Sequence, residues 1–212
     1  MVFIIADDCT FRDIGCYGGQ AKTPHIDRLA TEGMRFTRCF QAAPMCSPTR
    51  HNIYTGLYPV KSGAWPNHTR TYPHVKSIVH HLQPLGYRVT QTGKTHINPR
   101  TVFPFENMGG KNPDMKYIDR LFAETAKGGK VGKPFCLFAC SNEPHTPWDK
   151  GDASAYPPAK VKLPPYIVDT PRVREDFSKY LAEITYFDSQ VGEILALLEK
   201  HQLADNTLVM VV

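Results

Sequence analysis

Short runs of strand-forming residues alternate with amphipathic segments along this chain of 212 residues. Four of them are Met1–Ala6, Tyr87–Thr92, Phe135–Cys140 and Leu208–Val212, and the third is apolar almost throughout. Such an apolar run is typical of a strand that is covered on both faces of its sheet. Strands that alternate with helices favour a parallel sheet, because parallel strands must be joined by crossover connections. The pattern therefore predicts an α/β fold, a doubly wound and mostly parallel sheet with helices on both faces.

Helices are predicted between the strands from apolar spacing and from residues that favour helix ends. Thr23 and Pro24 form an N-cap residue and a first-turn proline for a short helix that ends at Glu32. A second Thr-Pro pair at positions 170–171 precedes a long helix with a nearly continuous apolar stripe. Three further helices and one further strand are predicted from periodicity, over Pro48–Tyr54, Val75–Gln83 and Pro113–Lys127, and over Met34–Phe40.

Composition places the chain among ordinary globular proteins and limits the classes of partner that can be expected. Hydrophobic residues make up 42% and charged residues 21%, which disfavours a disordered or coiled-coil chain. The net charge of +5 is spread along the sequence, so no segment resembles a nucleic-acid-binding arm. No apolar stretch reaches the ~18 residues that a transmembrane helix needs. Neither nucleic acid nor a membrane span is therefore expected.

Polar clusters follow three of the predicted strands. Asp7 and Asp8 come directly after the first strand, Lys94 and His96 follow the second, and His145 lies shortly after the third. Ligands of parallel α/β sheets bind beyond the carboxyl ends of the strands. We therefore expect the three clusters to meet at one edge of the sheet.

These residue types have plausible chemical roles, each with a simpler alternative. Adjacent carboxylates at Asp7 and Asp8 repel each other unless a cation such as Ca²⁺ or Mg²⁺ neutralises them, although a solvated turn or a helix cap is equally compatible. Lys94 can neutralise an anion and His96 can exchange a proton, or both can belong to a solvated loop. His145 is stiffened by flanking prolines, but single histidines are usually structural or solvated.

Cys46 precedes a predicted helix in the segment Cys46-Ser-Pro-Thr-Arg50. The helix dipole favours a thiolate at this position, and Arg50 one turn later adds positive charge. The alternative is an inert buried cysteine beside an N-terminal proline, because free cysteines are commonly buried.

Taken together, the motifs resemble a known family. The pattern Cys46-x-Pro48-x-Arg50, followed by Thr-Gly at positions 55–56, resembles the signature of type I sulfatases. Three other segments resemble that family's remaining motifs in the same order: Asp7-Asp8, Gly93-Lys94-x-His96 and Pro144-His145-x-Pro147. Softer similarities around positions 93–105 and 168–171 point to the heparan N-sulfatases. The resemblance covers essentially all of the chain and implies the N-terminal part of an alkaline phosphatase-like sulfatase fold.

The resemblance implies a nucleophile and a metal site. In this family a separate maturation enzyme oxidises the signature cysteine to formylglycine, and the hydrate of that aldehyde attacks sulfur, so Cys46 would be the modified residue. Asp7, Asp8 and the modified Cys46 would bind Ca²⁺, which is expected rather than Mg²⁺. The fourth signature position is Thr49, where serine is commonest in the family, but the Cys-x-Pro-x-Arg core is intact.

The resemblance also implies roles for the remaining site residues. Arg50 would hold the formylglycine hydroxyl and the metal-site carboxylates. Lys94 and His145 would bind the sulfate oxygens, and His96 would hydrogen-bond the formylglycine hydrate and assist the elimination step. Either His145 or His96 would be the acid that protonates the leaving group. The implied activity is hydrolysis of a sulfuric ester or sulfamate of a sulfated saccharide. A phosphoester or phosphonate hydrolase of the same superfamily and a non-catalytic domain that binds sulfated glycans are the alternatives.

Both ends of the sequence fall in predicted core strands, whereas chains usually begin and end in surface segments. The family completes its metal site with an aspartate and a following polar residue after a strand that resembles Leu208–Val212. We therefore expect residues 1–212 to be the N-terminal catalytic region of a longer protein, interrupted at Val212 and inactive alone. The family also implies an exported location (periplasmic, secreted or lysosomal), on which the sequence itself is silent.

Overall fold

Four parallel strands form one sheet in the computed structural model, which describes residues 1–128 and 132–212. The strands are β1 (Val2–Ile5), β2 (Arg88–Gly93), β3 (Phe135–Cys140) and β4 (Val209–Val211). Their order is β2-β3-β1-β4, and every neighbouring pair runs parallel. The predicted parallel sheet and its four strands are confirmed, with boundaries that differ by at most one residue at either end.

Six α-helices connect or flank these strands in the described part of the chain. They are α1 (Pro24–Glu32), α2 (Cys46–Thr55), α3 (Pro59–Ser62), α4 (Ile78–Leu82), α5 (Met115–Ala126) and α6 (Pro171–Lys200). Of the predicted helices, only that over 75–83 changes appreciably: it begins three residues later, after the N-cap Ser77, and ends at Leu82, where the short 3-10 helix Gln83–Leu85 follows. Within residues 1–128 and 132–212, none of the helices combines the length and apolar character needed to cross a bilayer.

The side chains of β3 separate two hydrophobic cores. Phe135, Leu137 and Ala139 pack on one face of the sheet with residues of α1, α5 and α6. The intervening residues of β3, Cys136, Phe138 and Cys140, pack on the other face with α2, α4 and the loop around residues 97–105. Because alternate side chains of a strand point to opposite faces, this division explains why the whole strand is apolar. The doubly wound arrangement is confirmed.

The segment Met34–Phe40 is not a strand, and this prediction was wrong. Its apolar side chains are exposed, from 62% at Phe36 to 86% at Phe40. The alternation of residue types is present, but no strand of the described sheet pairs with the segment and no core covers one of its faces. Alternation predicts a strand only when one face is buried.

The N-terminus of α1 is capped differently from what its sequence suggests. Thr23 occupies the N-cap position, as predicted, but its hydroxyl donates to Asp27 Oδ1 and accepts from the Gly15 amide. The carboxylate of Asp188, on α6, instead accepts hydrogen bonds from the amides of His25 and Ile26 at 3.2 and 2.8 Å. The first turn of α1 is therefore stabilised by a distant helix.

Candidate active site

The carboxyl ends of β1, β2 and β3 bring the three predicted polar clusters together. Asp7 lies two residues beyond β1, and the ammonium group of Lys94, the first residue after β2, contacts its Oδ2 atom. His145, in the loop after β3, places Nε2 3.7 Å from Asp8 Oδ2. The structure thus confirms that residues separated by more than 130 positions share one edge of the sheet.

Gly93 allows the chain to turn sharply at the end of β2. Its φ angle is +88°, a left-handed conformation that residues with a side chain rarely adopt. A Cβ atom here would lie 1.9 Å from the carbonyl oxygen of Cys140, at the end of the neighbouring strand. That same oxygen accepts a hydrogen bond from the Lys94 amide at 2.9 Å. The close approach of the two backbones therefore sets the position from which Lys94 reaches Asp7.

Arg50 is the buried centre of the site. Its side chain is 2% exposed and places Nη2 3.4 Å from Oδ1 of Asp7, which is itself 3% exposed. Nη1 donates to the carbonyl oxygen of Lys94 at 3.0 Å, and Nη2 lies 3.5 Å from that of Ser141. The guanidinium group therefore joins the chain segments that follow all three strands. Arg50 and Lys94 together compensate the buried charge of Asp7, which alone would be costly to bury.

Cys46 begins α2, one helical turn before Arg50. Residues four apart on a helix share a face, so the thiol lies on the side of α2 that carries the guanidinium group. The side chain is half-buried, and Sγ lies 3.8 Å from Oδ1 of Asn67, a weak hydrogen bond. Within the described residues the thiol hydrogen-bonds to Asn67 and to neither aspartate. The structure places Cys46 beside the cluster rather than in contact with its carboxylates.

His96 is joined to a histidine that lies outside the motifs identified from the sequence. Its Nε2 atom lies 2.7 Å from Nδ1 of His68. Burial, together with the neighbouring side chains of His68 and Lys94, lowers the pKa of His96 to about 4. The imidazole of His96 is therefore neutral near pH 7. No local pattern around His68 pointed to the site, because its partner lies 28 positions away.

The loop that carries His145 is held by buried carboxyl groups. Oε1 of Glu183, a fully buried residue of α6, accepts hydrogen bonds from the amides of Asp149 and Lys150 at 2.6 and 3.0 Å. Glu143 accepts a hydrogen bond from the side chain of Asn112 at 2.8 Å, and its carbonyl oxygen accepts the Asp7 amide at 3.0 Å. Both ends of the loop are thus anchored, while His145 itself remains partly exposed.

The donor atoms at the site match a hard cation in kind. Asp7 and Asp8 present carboxylate oxygens, the ligands that Ca²⁺ prefers, although Lys94 and Arg50 already contact Asp7. Two carboxylates supply at most four oxygens, whereas Ca²⁺ takes about 6–8. Across residues 1–128 and 132–212, no group of three or more His, Cys, Asp or Glu side chains is arranged to hold a metal ion. The described residues therefore fit part of a calcium site.

Comparison with known proteins gives one consistent result. A family model described as "Sulfatase" matches residues 1–212. The chain is 34% identical to an ulvan-active sulfatase of Formosa agariphila over 98% of the chain and 43% of that protein. It is 26% identical to the N-sulphoglucosamine sulphohydrolase of Homo sapiens over 99% of the chain and 49% of that protein. The chain therefore spans about half the length of these curated relatives.

Solved structures agree on the fold. The phosphonate monoester hydrolase of Agrobacterium radiobacter superposes with a TM-score of 0.78, over 99% of this chain and 61% of that one. Sequence identity with it is 17%, so this similarity shows the fold alone. The shared architecture is the alkaline phosphatase-like fold.

Proposed function

The chain belongs to the sulfatase family, and from this premise we propose that it forms the nucleophile-bearing N-terminal part of a hydrolase that releases inorganic sulfate from a sulfated saccharide. The observation that carries the proposal is the buried Asp7 carboxylate held between Lys94 and Arg50, with Cys46 one turn before Arg50. This arrangement offers a nucleophile position and concentrated positive charge to a sulfate group. Two relatives support a saccharide substrate by their names, one active on ulvan and one on N-sulphoglucosamine.

The nucleophile in this proposal is formylglycine, made from Cys46 by a maturation enzyme. A formylglycine hydrate would supply one hydroxyl that attacks sulfur and displaces the alcohol or amine, and a second whose deprotonation re-forms the aldehyde and expels sulfate by cleavage of the C–O bond. The half-buried position of Cys46 at the start of α2 supports this assignment, because the residue is both accessible and close to Arg50.

Asp7, Asp8 and the oxygen at position 46 would hold a Ca²⁺ ion, whose positive charge would stabilise the sulfate oxygens. We favour Ca²⁺ over Mg²⁺ because Mg²⁺ demands a stricter octahedral geometry and retains its water ligands. The other ligands in this proposal come from sequence outside residues 1–212, which is consistent with the share of its relatives that the chain spans.

The remaining side chains of the site neutralise charge and transfer protons. Lys94, which is 15% exposed, neutralises sulfate oxygens, and Arg50 holds Asp7 and the chain segments around it in place. His145 lies beside Asp8 and binds sulfate or protonates the departing alcohol or amine. His96, neutral near pH 7, accepts a proton from the nucleophile.

The test combines mass spectrometry with an activity assay. The protein is produced together with a formylglycine-generating enzyme, and the peptide that contains Cys46 is weighed. We expect CHO in place of CH₂SH and, in a chain extended by the sequence that follows residue 212, hydrolysis of a sulfated aryl ester that Cys46→Ala abolishes. Cys39→Ala, at an exposed cysteine outside the site, is the matched control and should change neither result. Hydrolysis that survives in Cys46→Ala would reject the assignment of the nucleophile.

A second candidate function is phosphoester or phosphonate hydrolysis. It is favoured by the fold shared with the Agrobacterium phosphonate monoester hydrolase. Turnover of matched aryl sulfate and aryl phosphate esters separates the two functions, and we expect the sulfate to be the better substrate. A domain that only binds sulfated glycan would instead retain an unmodified Cys46 in the presence of the maturation enzyme.

A further inference from the structure

We propose that His68 is a positioning residue that accepts a hydrogen bond from Nε2–H of His96 and so leaves Nδ1 of His96 as the free, proton-accepting nitrogen. The proposal rests on the proposed function only for its catalytic consequence. Its structural basis is the contact between two imidazoles on loops 28 positions apart, beside the segment that contacts Cys46.

The distance between the rings requires one shared proton. Nε2 of His96 and Nδ1 of His68 are 2.7 Å apart, which is hydrogen-bond distance. A neutral imidazole carries one N–H donor and one acceptor nitrogen, so only one of the two facing nitrogens can hold the proton. Either His96 donates through Nε2, or His68 donates through Nδ1.

The other nitrogen of His96 distinguishes these arrangements. Nδ1 of His96 is buried and has no hydrogen-bond partner within the described residues. If His68 donated, neutral His96 would carry its proton on Nδ1 and bury an unpaired N–H group, which costs ~1–3 kcal/mol. If His96 donates through Nε2, Nδ1 carries only a lone pair, and unpaired acceptors are tolerated more often than unpaired donors. When His96 donates, neutral His68 carries its own proton on Nε2, and this N–H group belongs to an exposed side chain.

The neighbouring Asn67 links this pair to the nucleophile position. Its Oδ1 atom accepts the amide of His68 at 3.2 Å and lies 3.8 Å from Sγ of Cys46. The segment 67–68 therefore connects residue 46 to the orientation of His96. Without the His68 acceptor, neutral His96 would exchange between its two tautomers. Nδ1 would then be protonated, and unable to accept a proton, in part of the molecules.

The tautomer is measured by two-bond ¹H–¹⁵N correlation spectra of the histidine side chains. In the parent chain we expect His96 to show a protonated Nε2 and an unprotonated Nδ1. His68→Phe should shift both ¹⁵N signals of His96 towards the average of the two tautomers. His68→Gln, whose Oε1 can accept the same hydrogen bond, should restore the parent values. His81→Gln, at an exposed histidine of α4, is the control. Protonated Nδ1 in the parent, or identical His96 signals in His68→Phe, would overturn the proposal.

Kinetics of the matured and extended chain give the catalytic consequence, because residues 1–212 alone are expected to be inactive. We expect His68→Phe to lower kcat by about tenfold or more with little change in KM, and His68→Gln to recover most of the loss. An unchanged kcat in His68→Phe would also count against the positioning role. The spectra determine the tautomer of His96 whether or not the protein hydrolyses sulfate esters. If only the proposed function fails, hydrolysis is absent while the His96 tautomer still depends on His68.

Discussion

Single residues of the candidate site are constrained in ways that their type alone does not reveal. Position 93 requires glycine for two reasons, its positive φ angle and the close backbone of the neighbouring strand. Gly86 has nearly the same φ, +87°, but no atom lies within 4 Å of the point that a Cβ atom would occupy there. Arg50 is required because its guanidinium group reaches Asp7, Lys94 and Ser141 at once.

Gly93→Ala should destabilise the chain much more than Gly86→Ala. Both substitutions place a side chain at left-handed φ, which costs ~1–2 kcal/mol. Only at position 93 does the new Cβ atom also meet a backbone carbonyl oxygen, at 1.9 Å. We expect a loss of at least ~3 kcal/mol at position 93, measured by urea denaturation. Equal losses in the two variants would show that β2 and β3 separate easily at this end.

Arg50→Met should reduce the free energy of unfolding by ~3 kcal/mol, because it removes one of the two cations that hold the buried Asp7 carboxylate. Arg50→Lys keeps the charge but loses the forked geometry, so an intermediate loss is expected. The control is Arg28→Met, at an exposed arginine paired with Glu32 and Glu199, where we expect a much smaller loss because solvent screens these ion pairs. Urea denaturation of the three variants tests the order, and a loss in Arg50→Met no larger than in Arg28→Met would contradict it.

Among the elements, α6 does more than cover one face of the sheet. Asp188 caps α1, and Glu183 binds the amides that end the His145 loop. Burial raises the pKa of Glu183 to about 7, hydrogen bonds from the Lys150 and Asp149 amides oppose the rise, and the adjacent carboxyl of Glu143 adds to it. The helix therefore holds the loop with a carboxyl group that keeps its proton to unusually high pH.

This raised pKa makes stability depend on pH. Between the ordinary value of 4.5 and about 7, the folded chain retains a proton at Glu183 that the unfolded chain releases. Its contribution to stability is therefore complete below pH 4.5 and is lost as the pH rises through about 7. The loss amounts to at most about 3 kcal/mol, from a shift of that size.

Glu183→Gln should remove this pH dependence. Glutamine keeps an oxygen for the Asp149 and Lys150 amides and offers an N–H to Glu143, so we expect the variant to be more stable than the parent above pH 7. Urea midpoints measured across the pH range test this, with Glu193→Gln, at an exposed glutamate of the same helix, as the control. A slope between pH 4.5 and 7 that is the same in the parent and in Glu183→Gln would show that another group titrates.

At the scale of the whole molecule, the chain spans 43% and 49% of two sulfatase relatives, and its described residues fit part of a calcium site. We predict that residues 1–212 alone bind Ca²⁺ only weakly, with Kd near ~1 mM, and hydrolyse no sulfated aryl ester. A chain extended by the sequence that follows in its gene should bind Ca²⁺ more tightly and gain activity. Calcium titration calorimetry and the ester assay measure both effects.

Asp7→Asn in the extended chain should abolish the gain in calcium affinity, because it removes a charged ligand from the buried side of the proposed site. Asp149→Asn, at an exposed aspartate paired with Lys150, should leave the affinity unchanged. Vigorous hydrolysis by residues 1–212 alone would refute the prediction and show that the described residues complete the site.

The amino-acid sequence by itself determined the four strands, most of the helices and the residues that meet at the sheet edge. These are local signals: apolar periodicity records which face of a segment is buried, and a parallel sheet brings the ends of its strands together. The expectation that Asp7 and Lys94 meet at one edge of the sheet therefore followed from the sequence, whereas Arg50 was joined to them only by the resemblance to the family. The same local reasoning failed at Met34–Phe40, because alternation does not reveal whether a partner strand or a core is present.

Only the tertiary structure decided which side chains from distant segments touch. The pairing of His68 with His96, the capping of α1 by Asp188 and the anchoring of the His145 loop by Glu183 all join such segments. The geometry of each contact depends on strand order and on how loops and helices pack, and neither is encoded in the spacing of residues along one segment. The residue types of the candidate site are thus properties of the sequence, whereas their orientation is a property of the fold.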